Sequence, residues 1–274
     1  MLHFISMGSG SSGNCYLLYT DSDALLIDAG IGVRALKKHL RDYGLSVSRI
    51  NNILITHDHA DHVKSVGSLS KDNQLRVYAT RRVHAGISGN WCVKNKIAGS
   101  LAMVIEKNEE FTLGDFKITP FEVPHDSFDN VGYKIEAEGV TFCLMTDVGI
   151  VTDEMKPFIS AADYLVIEAN HDPEMLRNGN YPQHLQDRIL GPRGHLSNRD
   201  CGIAIAENAS PRLKHVWLCH LSDENNHPEL AKKTVEQVLA SYGILAGVDF
   251  QVDVLKRKVP TGVFDFCLLY TSPS

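Results

Sequence analysis

The heptapeptide THDHADH, residues 56–62, directly follows the apolar run ILIT and constrains this chain more than any other stretch. Five ionisable side chains at the end of a buried strand can be a polar turn, one metal site or two adjoining sites. In extended backbone, residues i and i+2 point to the same side, so His57 and His59 can converge on one ion if the chain stays extended past the strand. Asp61 and His62 then fall where the chain turns, and can face a neighbouring position. Neutral imidazole and carboxylate suit zinc, manganese or iron(II), and nothing here calls for thiolate.

More candidates lie downstream, each directly after a predicted strand. His125 follows FEV in FEVPHDS, Asp147 follows CLM in CLMTDVG, and His220 follows VWLC in WLCHLSD. An α/β protein gathers its site from such strand ends along one sheet edge. Asp28 closes LLID in the same way. It reads either as a turn former before Gly30 or as a carboxylate that orients a ligand histidine.

The rest of the chain alternates strands and helices. Strands are predicted at LHFISM, CYLLYT, ALLI, RVYA, FKITPFEV, VGYKIEAEG, VTFCLMTD, YLVIEA and HVWLC. Val33, Leu36, Leu40 and Tyr43 fall on one face of a helix over 31–43 closed by Gly44, and further helices are predicted near 81–87, 181–190, 198–208 and 228–241. No repeat, linker or low-complexity segment interrupts this order, so one α/β domain over residues 1–266 is expected. The tail CLLYTSPS, residues 267–274, fits nothing before it and reads as non-native or disordered.

With 274 residues and 43% hydrophobic content the chain can bury a sizeable core. A net charge of −6 excludes binding of nucleic acid or anionic membrane by bulk charge, so any phosphate-bearing substrate needs a local attraction. No apolar run approaches the roughly 20 residues of a membrane span, and the N-terminus lacks the basic start and apolar core of a signal peptide, which together read as cytoplasmic. Cys15, Cys92, Cys143, Cys201, Cys219 and Cys267 form no CxxC pair, so neither a disulfide framework nor a thiolate zinc knuckle is indicated.

Taken in order, LLIDAG, THDHADH, VPHDS, MTDVG and LCHLS resemble the five motifs of the metallo-β-lactamase superfamily, over residues 2–266. The resemblance implies a four-layer αββα sandwich with two divalent metal ions at one edge, zinc foremost, with manganese or iron as alternatives. Carried over by position, His57, His59 and His125 would hold the first ion, Asp61, His62 and His220 the second, and Asp147 would bridge them. Asp58 matches a variable position and is left out. The lactamases carry a cysteine where this chain has Asp147, and the flavodiiron proteins a glutamate where it has His59, so neither branch is expected.

VIEANHD and GHLSNRD resemble the loops by which phosphodiesterase members address a scissile phosphate. His195 becomes the candidate for steadying that phosphate or protonating the leaving oxygen, and Ser197 and Asn198 could bind its oxygens, helix capping being their competing account. Glu168 and His171 stand in the first of these loops, where a solvated loop accounts for His171 equally well. Asp61 would serve both as ligand and as the group orienting a hydroxide generated between the ions. The glycine-rich GSGSSGN lacks the lysine of a P-loop, and is expected at the site rim with Ser11, Ser12 and Asn14 near the metals.

The stretch from Asp147 to His220 is too short for the extra domain of ribonuclease J-type enzymes. GSGSSGN, NCYLL, EANHD, GHLSN and CHLSDENN are similar to the YycJ (WalJ) group of bacterial single-domain members, regarded as 5′ to 3′ exonucleases on DNA. A phosphodiesterase of small cyclic or nucleotide substrates, a thioester or lactone hydrolase and an inactive metal-binding subunit are the alternatives. A homodimer is compatible with the chain. Arg81, Arg82, Arg188, Arg193, Arg199, Arg212, Lys214, Lys256, Arg257 and Lys258 could supply a basic strip beside the site.

Overall fold

Strands that read as unbroken apolar runs, rather than alternating ones, belong in sheets covered on both faces. The computed structural model describes residues 1–266, and the expectation for CLLYTSPS falls outside them. The first sheet holds β1 (Leu2–Gly8), β2 (Cys15–Tyr19), β3 (Ala24–Ile27), β4 (Asn52–Leu54), β5 (Arg76–Ala79) and β6 (Ala102–Val104). The second holds β7 (Phe111–Leu113), β8 (Phe116–Glu122), β9 (Val131–Ala137), β10 (Val140–Met145), β11 (Tyr164–Glu168), β12 (His215–Cys219) and β13 (Gln251–Val254). β14 (Val263–Phe266) returns to pair with β1, giving the orders β14-β1-β2-β3-β4-β5-β6 and β13-β12-β11-β10-β9-β8-β7.

Side chains of each strand divide between two cores. Phe4, Tyr16, Ile27, Phe142 and Trp217 meet between the sheets. Ile5, Leu17 and Leu26 point outward against Leu36 and Leu40 of α1 (Val33–Asp42), with α2 (Ala60–Val63), α3 (Val66–Asn73) and α4 (Arg81–Gly89) completing that layer. On the far side Met145, Leu165 and Leu218 pack against α5 (Lys156–Ala161), α8 (Asn198–Asn208) and α9 (Pro228–Ser241), while α6 (Pro173–Asn178) and α7 (Gln183–Leu190) lie in the β11–α8 connection. This is the expected four-layer αββα sandwich.

Strand direction brings the site together. β3, β4 and β5 run parallel, as do β10, β11, β12 and β13. Residues following β3, β4, β10 and β12 therefore emerge at one edge. The sequence left α2, α3, α5, α6, β6, β7 and β13 unpredicted. Several are short, and α2 carries the polar motif itself, so no apolar period marks it.

Candidate metal centre

The motif turn is fixed by its neighbours as much as by its own sequence. His57 leaves β4 fully buried, and His59 is still extended (φ −65°, ψ 149°) as the residue before α2. The Asp61 carbonyl accepts the Asn14 N–H at 2.7 Å, and the His62 carbonyl accepts the Ala29 N–H at 2.8 Å. A Cβ on Gly30 would lie 1.5 Å from the Asp61 carbonyl oxygen, so only glycine lets the β3 end approach the turn.

Four overlapping sets of candidate ligand atoms converge here. His57, His59 and His125 form one, and Asp61, His62 and His220 another, the atoms within each lying within 4.8 Å of one another. Asp147 also groups with His57 and His62, and separately with Glu168, His195 and His220, so it stands between the first two sets. Its Oδ2 is 3.2 Å from His62 Nε2, and its Oδ1 3.6 Å from His125 Nε2 and 3.5 Å from His220 Nδ1.

Four of the histidines, His62, His125, His195 and His220, are aimed by an acceptor behind them. Asp28 Oδ2 accepts from His62 Nδ1 at 2.7 Å, and Asp28 is itself held by the Thr56 N–H at 2.9 Å. The Gly194 carbonyl accepts from His125 Nδ1 at 3.0 Å. Glu168 Oε1 accepts from His195 Nδ1 at 2.8 Å and from His220 Nδ1 at 2.9 Å, while Oε2 takes the Val148 and Leu196 N–H groups at 2.7 and 3.1 Å. With four donors on its two oxygens, Glu168 positions ligands rather than serving as one. The backbone also twists to aim these groups: Asp28, Asp147 and His220 take left-handed φ values of 59°, 53° and 53°, each costing about 1–2 kcal/mol in a residue with a Cβ.

The electrostatics fit a cation. Burial pushes the His57 ring well below its usual value, so it stays neutral, and its Nε2 is buried with no hydrogen-bond partner among the described residues. A buried, unpartnered imidazole nitrogen among histidines and carboxylates is the arrangement a metal ion satisfies. Burial opposes charge on His62, but Asp147, Asp28 and Asp61 outweigh it and hold the ring up to about 10. Burial likewise opposes charge on Glu168, yet His195 and the hydrogen bonds from His195 and His220 bring it down to about 2. A metal ion binding here would displace the protons that these carboxylates attract.

The candidate substrate-binding residues have partners within the chain. Asn14, a candidate substrate-binding residue expected near the metals, is completely buried; it bonds the Gly10 backbone and lies 2.8 Å from His62 Nε2 and 3.3 Å from Asp61 Oδ2. Of the two readings for Ser197 and Asn198, the Ser197 hydroxyl makes the cap, accepting the Asp200 N–H at the start of α8, and the buried Asn198 amide pairs with Asn226. The His171 ring is buried with neither nitrogen partnered among the described residues, and burial holds it down to about 4. Ser9, in the glycine-rich loop, accepts the His220 N–H at 3.0 Å and so ties the two sheets together at the site.

The basic residues divide. Arg188 pairs with Asp126 at the site's edge, and Arg193 donates to the His125 carbonyl at 2.9 and 2.7 Å. Arg212 and Lys214 precede β12 and stand at the opposite sheet edge, Arg212 on Asp163. Glu168 and Asp58 are the residues sequence reasoning undervalued. A carboxylate closing the apolar run YLVIE was the available signal for the first. The Asp58 carboxylate accepts the Phe128 N–H at 3.1 Å and its carbonyl accepts the Asn90 amide at 2.8 Å, contacts that only the fold creates.

Comparisons with known proteins agree with this geometry. A family described as a beta-lactamase superfamily domain matches residues 24–220. The chain is 35% identical to "Exodeoxyribonuclease YycJ" of Bacillus anthracis over 96% of this chain and 98% of that one. It is 37% identical to "Exodeoxyribonuclease WalJ" of Streptococcus pneumoniae over 90% and 91%. Among solved structures, Zn(2+)-bound PqqB of Methylobacterium extorquens shares the fold with a TM-score of 0.72 at 19% identity, over 96% of this chain and all of that one. The metallo-beta-lactamase fold protein YhfI of Bacillus subtilis gives 0.69 at 18%, over 95% and 99%. With the family matched across most of its length and a relative aligned nearly end to end, this chain belongs to the metallo-β-lactamase superfamily.

Proposed function

We propose that this protein is a metal-dependent phosphodiesterase acting on DNA as an exonuclease in the 5′ to 3′ direction. The observation that carries the phosphodiester reading is the Glu168–His195 pair, set 3.8 Å from Asp147 and sharing its carboxylate with His220. The names of the two relatives support DNA as the polymer.

When bound, two divalent ions, zinc foremost, would acidify a water and offset phosphodiester charge. His57, His59 and His125 would hold one, Asp61, His62 and His220 the other, with Asp147 between. The chain's own residues supply the rest. Burial opposes charge on His195, but Glu168 and Asp147 raise its affinity for a proton. With Nδ1 committed to Glu168, His195 can deliver a proton from Nε2 to the leaving oxygen. It borders a cavity of about 170 Å³ that also touches Tyr181, Arg188 and His220, and Arg188 can pair with a phosphate there. Asp61, whose Oδ2 is 3.4 Å from His220 Nε2, would orient the attacking water.

A small-substrate phosphodiesterase is the second reading, favoured by Arg212 and Lys214 standing away from the site. Both readings are tested by 5′-labelled and 3′-labelled duplex DNA, single-stranded RNA, a cyclic nucleotide, a thioester and a lactone, each with zinc and with manganese. Mononucleotide release from the 5′ end of DNA is expected. Turnover of the cyclic nucleotide alone would move the assignment to the small substrate, and thioester or lactone hydrolysis without phosphodiester cleavage would overturn both.

A further inference from the structure

Beside the metal centre the surface opens into a second cleft, of about 490 Å³, lined by His59 and Asp61 on its inner side and by Trp91, Phe128 and Arg188 farther out. Trp91 is 89% exposed and Phe128 60%, in a chain whose other tryptophan, Trp217, is completely buried. Two aromatic rings left in water at the mouth of a cleft that also holds His59, Asp61 and Arg188 offer stacking faces beside ionisable groups.

Their placement is built in. Asp58 accepts the Phe128 N–H at 3.1 Å through its carboxylate and the Asn90 side chain at 2.8 Å through its carbonyl, so it links the segments carrying both rings to the motif turn. Gly86 of α4 lets that approach happen, since a Cβ there would lie 2.4 Å from the Asp58 carboxyl group. The one acidic residue of THDHADH outside the candidate ligand sets therefore anchors the cleft walls to the candidate ligands.

We propose that Trp91 and Phe128 stack on nucleobases of a DNA strand next to the scissile phosphate, with Arg188 beside its backbone. The inference rests on the phosphodiesterase reading and names the subsite that would favour a polymer with exposed bases. A nucleobase fits because every base presents a π face regardless of sequence, and because a phosphate backbone entering this cleft meets Arg188 on its way to His59 and Asp61.

The test uses the metal-loaded protein and a short single-stranded, phosphorothioate-linked DNA that resists cleavage. Quenching of the exposed Trp91 by this strand is expected, and none by an abasic strand of the same length. By fluorescence anisotropy of a labelled strand, Trp91→Ala and Phe128→Ala should each raise Kd about tenfold or more, while Trp91→Phe should stay near the parent. Equal affinity for base-bearing and abasic strands, or an unchanged Kd in Trp91→Ala, overturns the proposal. So does a Trp91→Ala effect confined to self-association in sedimentation, which would assign the rings to a second copy of the chain. Cleavage of unmodified DNA is measured in parallel: binding with quenching but no cleavage defeats the exonuclease reading alone, and normal cleavage without quenching defeats the stacking cleft alone.

Discussion

His57, His59, Asp61 and His62 leave the first sheet in one short turn, whereas His125, Asp147, Glu168, His195 and His220 come from the second sheet's separate loops and strand ends. The first group is placed by local backbone, extended through His59 and helical from Ala60, and needs the fold only to press Gly30 and Asn14 against it. The second group is placed by sheet register and by one buried carboxylate, Glu168, that holds two of its histidines. A change in the local half should remove one ligand, while a change in the distributed half should displace several.

The largest effect is expected where the halves meet. Asp147→Ala should lower bound metal and abolish hydrolysis, because Asp147 faces groups from both sheets; full metal occupancy by elemental analysis would falsify its bridging place. His195→Ala should retain metal yet lose around a hundredfold in turnover, within the range of general acid catalysis. Normal cleavage by that variant would remove His195 from the chemistry.

A paired measurement sharpens the contrast itself. Asp28→Asn and Glu168→Gln should each weaken metal binding about 10- to 100-fold, the usual scale for groups that orient ligand histidines. Glu168→Gln should in addition depress turnover at saturating metal, since it also holds His195. If the two variants behave alike in turnover, the distributed half is no more interdependent than the local one. The smallest effect belongs to Ser197→Ala, which should cost about 1 kcal/mol of stability through the lost α8 cap, read as a lower Tm, with kcat/KM unchanged.

Much of the architecture could be read from the chain because buried strands and amphipathic helices write their periods into sequence. One α/β domain, the face of α1 and the strand ends bearing His125, Asp147 and His220 follow from such patterns, whereas the four layers were implied by the family resemblance. Short edge strands such as β6 and β7 carry too few residues for a period, and the polar α2 has none. The partners that Asn14, Ser197 and Asn198 take were left open by the sequence because amide and hydroxyl groups serve caps and buried pairs as readily as ligands. Which use they take depends on burial, and burial is a property of the packed chain.

The sequence by itself determined the candidate ligand chemistry of this protein: imidazole and carboxylate, gathered at the ends of buried strands. Only the tertiary structure decided the supports. It set Asp28 behind His62, folded Glu168 across His195 and His220, and turned Asp58 away from the candidate ligand sets to anchor Phe128 and Asn90. The physical reason is range: strand alternation is set between neighbours along the chain, whereas a hydrogen bond between Glu168 and His220 exists only after β11 and β12 have aligned in register.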